Sequence, residues 1–331
     1  MSRPVRAAVI QMGSTGFDVD ATLGRISSRV AEAAAQGAEI AVLPEALLGG
    51  YPKGLDFGAR VGLRLDRGRD AFQRYHAAAV DLPGPALGRL SRIAADNRVY
   101  LVVGVVERDG GTLYCTQVHL DRRGRFLGKH RKTMPTASER LIWGFGDGST
   151  LPVFDTEHGR VGGAICWENY MPLLRMALYG DQVQLYCAST VDDRPTWQHA
   201  MHHIAYEGRC FVLSAAQVMR RRDYPDDYDA LGDNDPDALL IHGGSVIVSP
   251  FGETLAGPLY DAEGVLVAEL DLDQIARGKY DLDVVGHYAR PDLFQLHVNT
   301  RPQRPVARTN GGPPPALSEG DGPEYPTPHD E

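Results

Sequence analysis

The sequence predicts an α/β protein with mixed sheets. Three observations carry this. Short runs rich in Val, Ile and Ala alternate with helix-period patterns. Several runs follow one another across short turns with no helix between them, which places antiparallel neighbours beside parallel ones. At 331 residues the chain can bury a large core without staples.

The elements follow in order. Val5–Met12 reads as the first strand. Asp18–Gln36 reads as an amphipathic helix with Leu23, Ile26 and Val30 on its apolar face and Gly37 as the C′ glycine. Glu39–Leu43 is a strand stopped by Pro44, and Pro85–Asp96 is a helix. Val99–Val106, Leu113–Leu120 and Phe126–His130 are strands joined by turns at Gly110–Gly111 and Arg122–Gly124. In the second half, Arg160–Ile165 is a strand ending at Cys166, followed by a helix at Met171–Tyr179. Val183–Ala188, Cys210–Ala215, Gly243–Ser249 and Gly264–Asp271 are strands, and Pro195–Gly208 is a helix.

Two segments differ in composition. Arg222–Asp237 is acidic and turn-rich, and is expected to be a surface loop. From about Arg301 the chain is rich in proline and glycine and poor in apolar residues. Such a segment buries too little surface to offset its ordering entropy. The expectation is one domain over residues 1–300 and a disordered tail over 301–331.

A formal net charge of -9 argues against nucleic acid as a partner. No stretch approaches the ~20 apolar residues of a membrane span. The early run Ala7–Met12 is too short for a signal-peptide core, so the protein is expected in the cytoplasm. Cys115, Cys166, Cys187 and Cys210 form no CxxC pair, and disulfides are not expected. Three of the four read as buried small hydrophobes. His199 and His203 share a helix face, but no third ligand follows and a metal site is not expected.

Three short segments carry chemistry. In Gly162-Gly163-Ala164-Ile165-Cys166-Trp167-Glu168-Asn169, a strand runs into a cysteine just before a helix. A nucleophile at such a turn meets backbone N–H groups that can bind developing negative charge. A structural cysteine fits the same residues. In Leu43-Pro44-Glu45-Ala46, Glu45 ends a buried strand, where apolar neighbours would raise its pKa and suit it as a base. A solvated loop glutamate is the alternative. In Gly128-Lys129-His130-Arg131-Lys132-Thr133-Met134-Pro135, one lysine could stabilise an anion, or the basic run could be an exposed turn.

Taken together and in this order, the LPE, KHRK-x-MP and GGAICWEN segments closely resemble the Glu–Lys–Cys triad of the nitrilase superfamily, over about residues 5 to 300. Glu45 falls on the family's base, Lys132 on its lysine and Cys166 on its nucleophile. The string Cys166-Trp167-Glu168-Asn169-Tyr170-Met171-Pro172 is similar to the nitrilase branch, as are Glu139-Arg140-Leu141-Ile142-Trp143-Gly144 and Val285-Gly286-His287-Tyr288-Ala289-Arg290-Pro291-Asp292. Glu139 matches a second glutamate that positions the lysine and substrate.

The resemblance implies a four-layer α-β-β-α sandwich and hydrolysis of a small nitrile by water, with no metal or organic cofactor. It also implies a homodimer or larger spiral homo-oligomer. Amidase, carbamoylase or cyanide-hydrolysing chemistry on the same triad is the alternative, and a non-catalytic binding member a remote one. Lys132 is expected to lower the Cys166 thiol pKa. Trp167, Thr190 and Tyr51 are candidate substrate-binding residues.

Overall fold

The computed structural model describes residues 3–228 and 235–306. Two seven-stranded sheets organise it. In the first, strands lie in the order Gly264–Leu270, Val5–Gln11, Ile40–Val42, Tyr100–Asp109, Thr112–Leu120 and Phe126–Arg131, with Val80–Asp81 also pairing to Tyr100–Asp109. In the second, the order is Val218–Arg220, Leu239–Val248, Phe211–Ala216, Leu185–Thr190, Gly159–Gly163 and Val153–Thr156, with Thr254–Tyr260 beside Leu239–Val248. Each sheet has a parallel centre and antiparallel flanks, as the mixed-sheet reading expects.

Alternation along the strands builds the layers. Val5, Ala7 and Val9 pack with Ile40, Val42, Leu185, Cys187, Phe211 and Leu213 between the sheets. Their neighbours Ala8, Ile10, Ala41 and Leu43 face the other way, onto Leu23, Ile26 and Val30 of the helix Val19–Ala35 and Leu87, Leu90 and Ile93 of the helix Pro85–Asn97. On the second sheet, Tyr186, Ala188, Val212 and Val246 pack against Leu174 and Leu178 of the helix Pro172–Gly180 and Trp197, Met201 and Ile204 of the helix Pro195–Gly208. The result is an α-β-β-α sandwich. Asp18 caps the first helix by accepting from the Ala21 N–H, and Gly37 takes φ +84° after its end.

Three further elements have weak sequence signals. The helix Asp66–Ala78 buries only Gly68, Tyr75 and Ala78, so its polar surface hides the helical period. The strand Thr254–Tyr260 contains a Gly-Pro pair and has no fully buried residue. The helix Asp273–Asp281 buries only Ile275 and Gly278. The surface-loop reading of Arg222–Asp237 needs correction at its start. Tyr224 and Tyr228 are buried, and their hydroxyls donate to the carbonyls of Tyr51 and Lys53 at 2.8 and 2.6 Å. The middle of that segment lies outside the described residues, as does the expected tail from residue 307 on. Residues 301–306 are exposed, and the Gln303 N–H donates to Asp147. Among the described residues no helix is long and apolar enough to cross a membrane.

One glycine in the first sheet decides where the Glu45 segment can lie. A Cβ on Gly104 would sit 2.2 Å from the Pro44 carbonyl oxygen and 2.6 Å from the Glu45 Cα. Both are backbone atoms with little room to give. Gly104→Ala is therefore expected to lower stability by about 1–3 kcal/mol through overpacking, read as the midpoint of urea unfolding. An unchanged midpoint would mean that the Pro44–Glu45 backbone yields freely.

Candidate active site

The site forms just beyond strand ends contributed by both sheets, where functional side chains of α/β sheets collect. Glu45 follows the strand Ile40–Val42. Its backbone is held by the Gly104 N–H donating to Pro44 and by Gln217 Nε2 donating to the Glu45 carbonyl at 2.6 Å. Ala46 then turns the chain with φ +47°. Lys132 follows the strand Phe126–Arg131. Its N–H donates to the Cys115 carbonyl and its carbonyl accepts from Gly146, each at 2.8 Å.

Cys166 lies beyond the strand Gly159–Gly163 and starts the short 3-10 turn Cys166–Tyr170. Its φ is +51°, a strained value for a side-chain-bearing residue. Asn169 Nδ2 secures the turn by donating to the Ala164 and Cys166 carbonyls at 3.1 and 2.7 Å.

These segments bring the side chains together in a closed space. Glu45 and Lys132 are fully buried and Cys166 is 3% exposed. The Lys132 ammonium donates to Glu45 Oε1 at 2.6 Å and to Glu139 Oε2 at 2.8 Å. Glu139 is held in turn by the Tyr51 hydroxyl at 2.8 Å and the Thr136 N–H at 2.6 Å. Glu45 Oε2 is buried without a hydrogen-bond partner. Thr190 Oγ1 donates to Cys166 Sγ at 3.2 Å.

The electrostatics follow from burial and from the ratio of two carboxylates to one ammonium. Burial raises the Glu45 pKa, and Lys132 and the Cys166 thiol only partly offset it. Burial opposes the Lys132 charge, but Glu45, Cys166 and Glu139 outweigh it and hold the ammonium well above its usual range. The Cys166 thiol is pushed up, first by burial and then by Glu45, against the pull of Lys132. The expected effect of Lys132 on the thiol is present but is not the largest. Lys132 does favour the thiolate, but an enclosed site with two acids wins.

Of the three residues read as substrate contacts, Thr190 touches the sulfur, Tyr51 supports Glu139 and Trp167, the next residue after Cys166, is 40% exposed. Cys187 and Cys210 are buried, as read. Cys115 is buried among apolar residues too, as read, and in addition points its thiol at Glu45 Oε1, 3.5 Å away. The helical histidines lie elsewhere, His202 against the Gly252 carbonyl and His203 against Glu207. Among the described residues no group of three or more His, Cys, Asp or Glu is placed to hold a metal ion.

The residue that sequence reasoning missed most clearly is Glu168. It is fully buried, and its carboxylate accepts from the Ile165 N–H (2.9 Å), the Thr133 N–H (2.6 Å), the Thr133 hydroxyl (2.5 Å) and His130 Nε2 (2.8 Å). His130 and Thr133 flank Lys132, and Ile165 precedes Cys166. One carboxylate thus ties the lysine segment to the cysteine turn. The signal was available in the spacing, since Glu168 is two residues from Cys166 and His130 two from Lys132. His130 Nδ1 faces the Thr150 carbonyl, so both ring nitrogens meet acceptors, an environment that favours the protonated ring.

A buried thiol beside a carboxylate with a free oxygen can attack an electrophilic carbon while giving up its proton. A buried ammonium can then stabilise the negative charge that forms. The profile of the carbon-nitrogen hydrolase family matches residues 6–280. This chain belongs to that family. Its relatives include the bifunctional nitrilase/nitrile hydratase NIT4A of Lupinus angustifolius, 54% identical over 92% of this chain and 89% of that one. Nitrilase 2 of Arabidopsis thaliana is 52% identical over 91% of each.

Solved structures with the same fold include the C. elegans NitFhit protein (TM-score 0.69, 20% identity, 92% of this chain and 69% of that one). Another is an amidase from Nesterenkonia sp. AN1, which carries acrylamide added at its active site cysteine (TM-score 0.64, 20% identity, 84% of this chain and 97% of that one).

The His130–Glu168 pair makes stability depend on pH in a bounded window. Burial opposes both charges, but each partner outweighs it, so the His130 pKa is raised from 6.5 and that of Glu168 is lowered from 4.5. The histidine contribution is complete below 6.5 and fades as pH rises through the folded value. The glutamate contribution is complete above 4.5 and fades as pH falls through its folded value. His130→Gln is expected to lower the melting temperature most between about pH 4.5 and 6.5, with the difference narrowing as pH rises through the raised histidine value. A difference that grows steadily with pH would contradict the pairing.

Proposed function

We propose that this chain hydrolyses a small organic nitrile to the carboxylic acid and ammonia, with Cys166 as nucleophile, Glu45 as general base, Lys132 as the stabilising cation and Glu139 as its positioning partner. The observation that carries this reading is the Lys132 ammonium held between two carboxylates in the buried space that contains the Cys166 thiol. Supporting it, the chain is 49–54% identical to proteins named as nitrilases over more than nine-tenths of its length.

The thiol is neutral at rest, so proton transfer accompanies attack. Glu45 takes the thiol proton through its unpartnered oxygen as sulfur bonds to the nitrile carbon. One C–N π bond opens, and the nitrogen takes the proton to give a thioimidate. Lys132 and the Trp167 backbone N–H offset the charge that builds on nitrogen. Glu45 then removes a proton from water as that water attacks the same carbon. Returning that proton to nitrogen gives a tetrahedral intermediate with an amino group and a hydroxyl. A second transfer, from the new hydroxyl through Glu45 to nitrogen, breaks the C–N bond as the carbonyl forms, releases ammonia and leaves a thioester. A second water, activated in the same way, breaks the C–S bond and restores the thiol.

If the first tetrahedral intermediate breaks its C–S bond instead, the product is the amide. Relatives that carry the double name nitrilase/nitrile hydratase favour this second outcome as a side product. A domain over residues 1–300 and a homo-oligomer belong to the same reading. The exposed apolar side chains of Leu293, Phe294, Leu296 and Val298 support self-association.

Because burial raises the Glu45 pKa, activity is expected to fall as pH drops through that raised value. With phenylacetonitrile, ammonia release is expected from the native protein and not from Cys166→Ala. Glu45→Gln should cost about 100-fold or more, the usual loss for a general base. Ammonia from phenylacetamide with none from the nitrile would replace this reading with an amidase. Ammonia from neither, across a panel of nitriles and amides, would favour a binding member without catalysis.

A further inference from the structure

Trp167 is an exposed indole held with unusual care. Its side chain follows the buried nucleophile and is 40% exposed, yet three neighbours fix it. The indole N–H donates to Asp192 Oδ2 at 2.9 Å. The Arg194 guanidinium carbon lies 4.6 Å from its ring centroid. The Tyr170 ring meets it edge-on at 5.7 Å and 83°.

Asp192 is the hub of this arrangement. Its side chain is 4% exposed, whereas that of Arg194 is 50% exposed. Besides the indole, it accepts from Arg194 Nε at 2.8 Å, Arg194 Nη2 at 2.5 Å and the Arg194 N–H at 3.1 Å. Its own N–H donates to Thr190 Oγ1 at 2.9 Å, and that hydroxyl donates to the Cys166 sulfur. Residue 192 therefore reaches both: its carboxylate holds the exposed ring, and its backbone N–H holds the hydroxyl that contacts the Cys166 sulfur. Tyr170 and Arg194, which pack against the Trp167 ring, both lie within electrostatic reach of the Cys166 sulfur.

We propose that Asp192 is a positioning residue that locks the Trp167 indole as one wall of the approach to Cys166, and so sets which nitriles reach the sulfur. The proposal rests on the nitrile-hydrolysing reading above. Charge-assisted hydrogen bonds to a buried acceptor are strong and directional, and a stacked guanidinium adds a face-on restraint. Without the carboxylate, the indole loses its N–H acceptor and Arg194 loses the partner that aims it at the ring. The ring can then turn toward solvent, and the approach changes width.

The test uses the full chain and its intrinsic fluorescence. The protein has three tryptophans, and Trp143 and Trp197 are 2% and 0% exposed. Quenching by neutral succinimide therefore reports on Trp167. Asp192→Ala is expected to raise the quenching constant and shift emission to longer wavelength, while Asp192→Asn, which keeps an acceptor for the indole, stays near the native protein. The ratio of kcat/KM for phenylacetonitrile over propionitrile should change about tenfold in Asp192→Ala, the scale of one apolar contact in a pocket, through KM more than kcat.

Arg194→Gln leaves the carboxylate in place and provides a second variant should Asp192→Ala fail to fold. It is expected to raise quenching by a smaller amount. Native-level quenching in both Asp192→Ala and Arg194→Gln overturns the proposal, as does an unchanged selectivity ratio in an enzyme that turns over both nitriles. If the native protein turns over no nitrile, the functional reading fails instead. Quenching then still decides whether Asp192 holds the ring.

Discussion

The site depends on one cation shared by two acids in a place that water barely reaches. Lys132 bridges Glu45 and Glu139 at 2.6 and 2.8 Å with its own side chain fully buried. A lone ammonium there would be neutralised by its desolvation cost, and a lone pair of carboxylates would repel. Together they persist as a unit. The arrangement also orients Glu45. Lys132 and the Cys115 thiol occupy one carboxylate oxygen, which leaves the other without a partner. The same crowding of negative charge, with burial, favours the neutral thiol of the neighbouring sulfur; on the proposed reading, Cys166 loses its proton only as it attacks a substrate.

Such a cluster needs segments from distant parts of the chain to meet within a few tenths of an ångström. The sandwich does this by sending Glu45 and Lys132 from strand ends of one sheet and Cys166 and Thr190 from strand ends of the other. The joints are strained or tightly fitted. Ala46 and Cys166 adopt positive φ, and Gly104 leaves no space for a side chain against Glu45. Glu168 stitches across the two sheets by accepting from residues on either side of Lys132 and from the residue before Cys166. The rigidity that orders the site is therefore paid for mainly in hydrogen bonds to buried carboxylates.

Much of this was legible in the sequence, and the reasons are physical. Buried strands announce themselves as Val- and Ile-rich runs, which put Glu45 and Cys166 at strand ends; the choice of Lys132, and of the three as a set, came from the resemblance of their segments to the nitrilase superfamily. Elements with little buried surface did not stand out, and Asp66–Ala78, Thr254–Tyr260 and Asp273–Asp281 are of that kind. Buried polar partners were also hidden. Nothing in local pattern distinguishes a thiol in plain core from Cys115 against Glu45, or a loop aspartate from Asp192 beneath an indole. The bond from the Tyr51 hydroxyl to Glu139 was hidden for the same reason. Those facts live in three-dimensional packing between segments far apart in the chain.

The claim that the nucleophile rests as a thiol beneath a shared ammonium can be measured without any substrate. Ultraviolet thiolate absorbance, titrated in the native protein and in Cys166→Ala, isolates the signal of this one sulfur. The two curves are expected to coincide from mildly acidic through neutral pH and to separate only in strongly alkaline solution. A thiolate signal specific to Cys166 already present at neutral pH would show a preformed ion pair with Lys132, and would contradict the account.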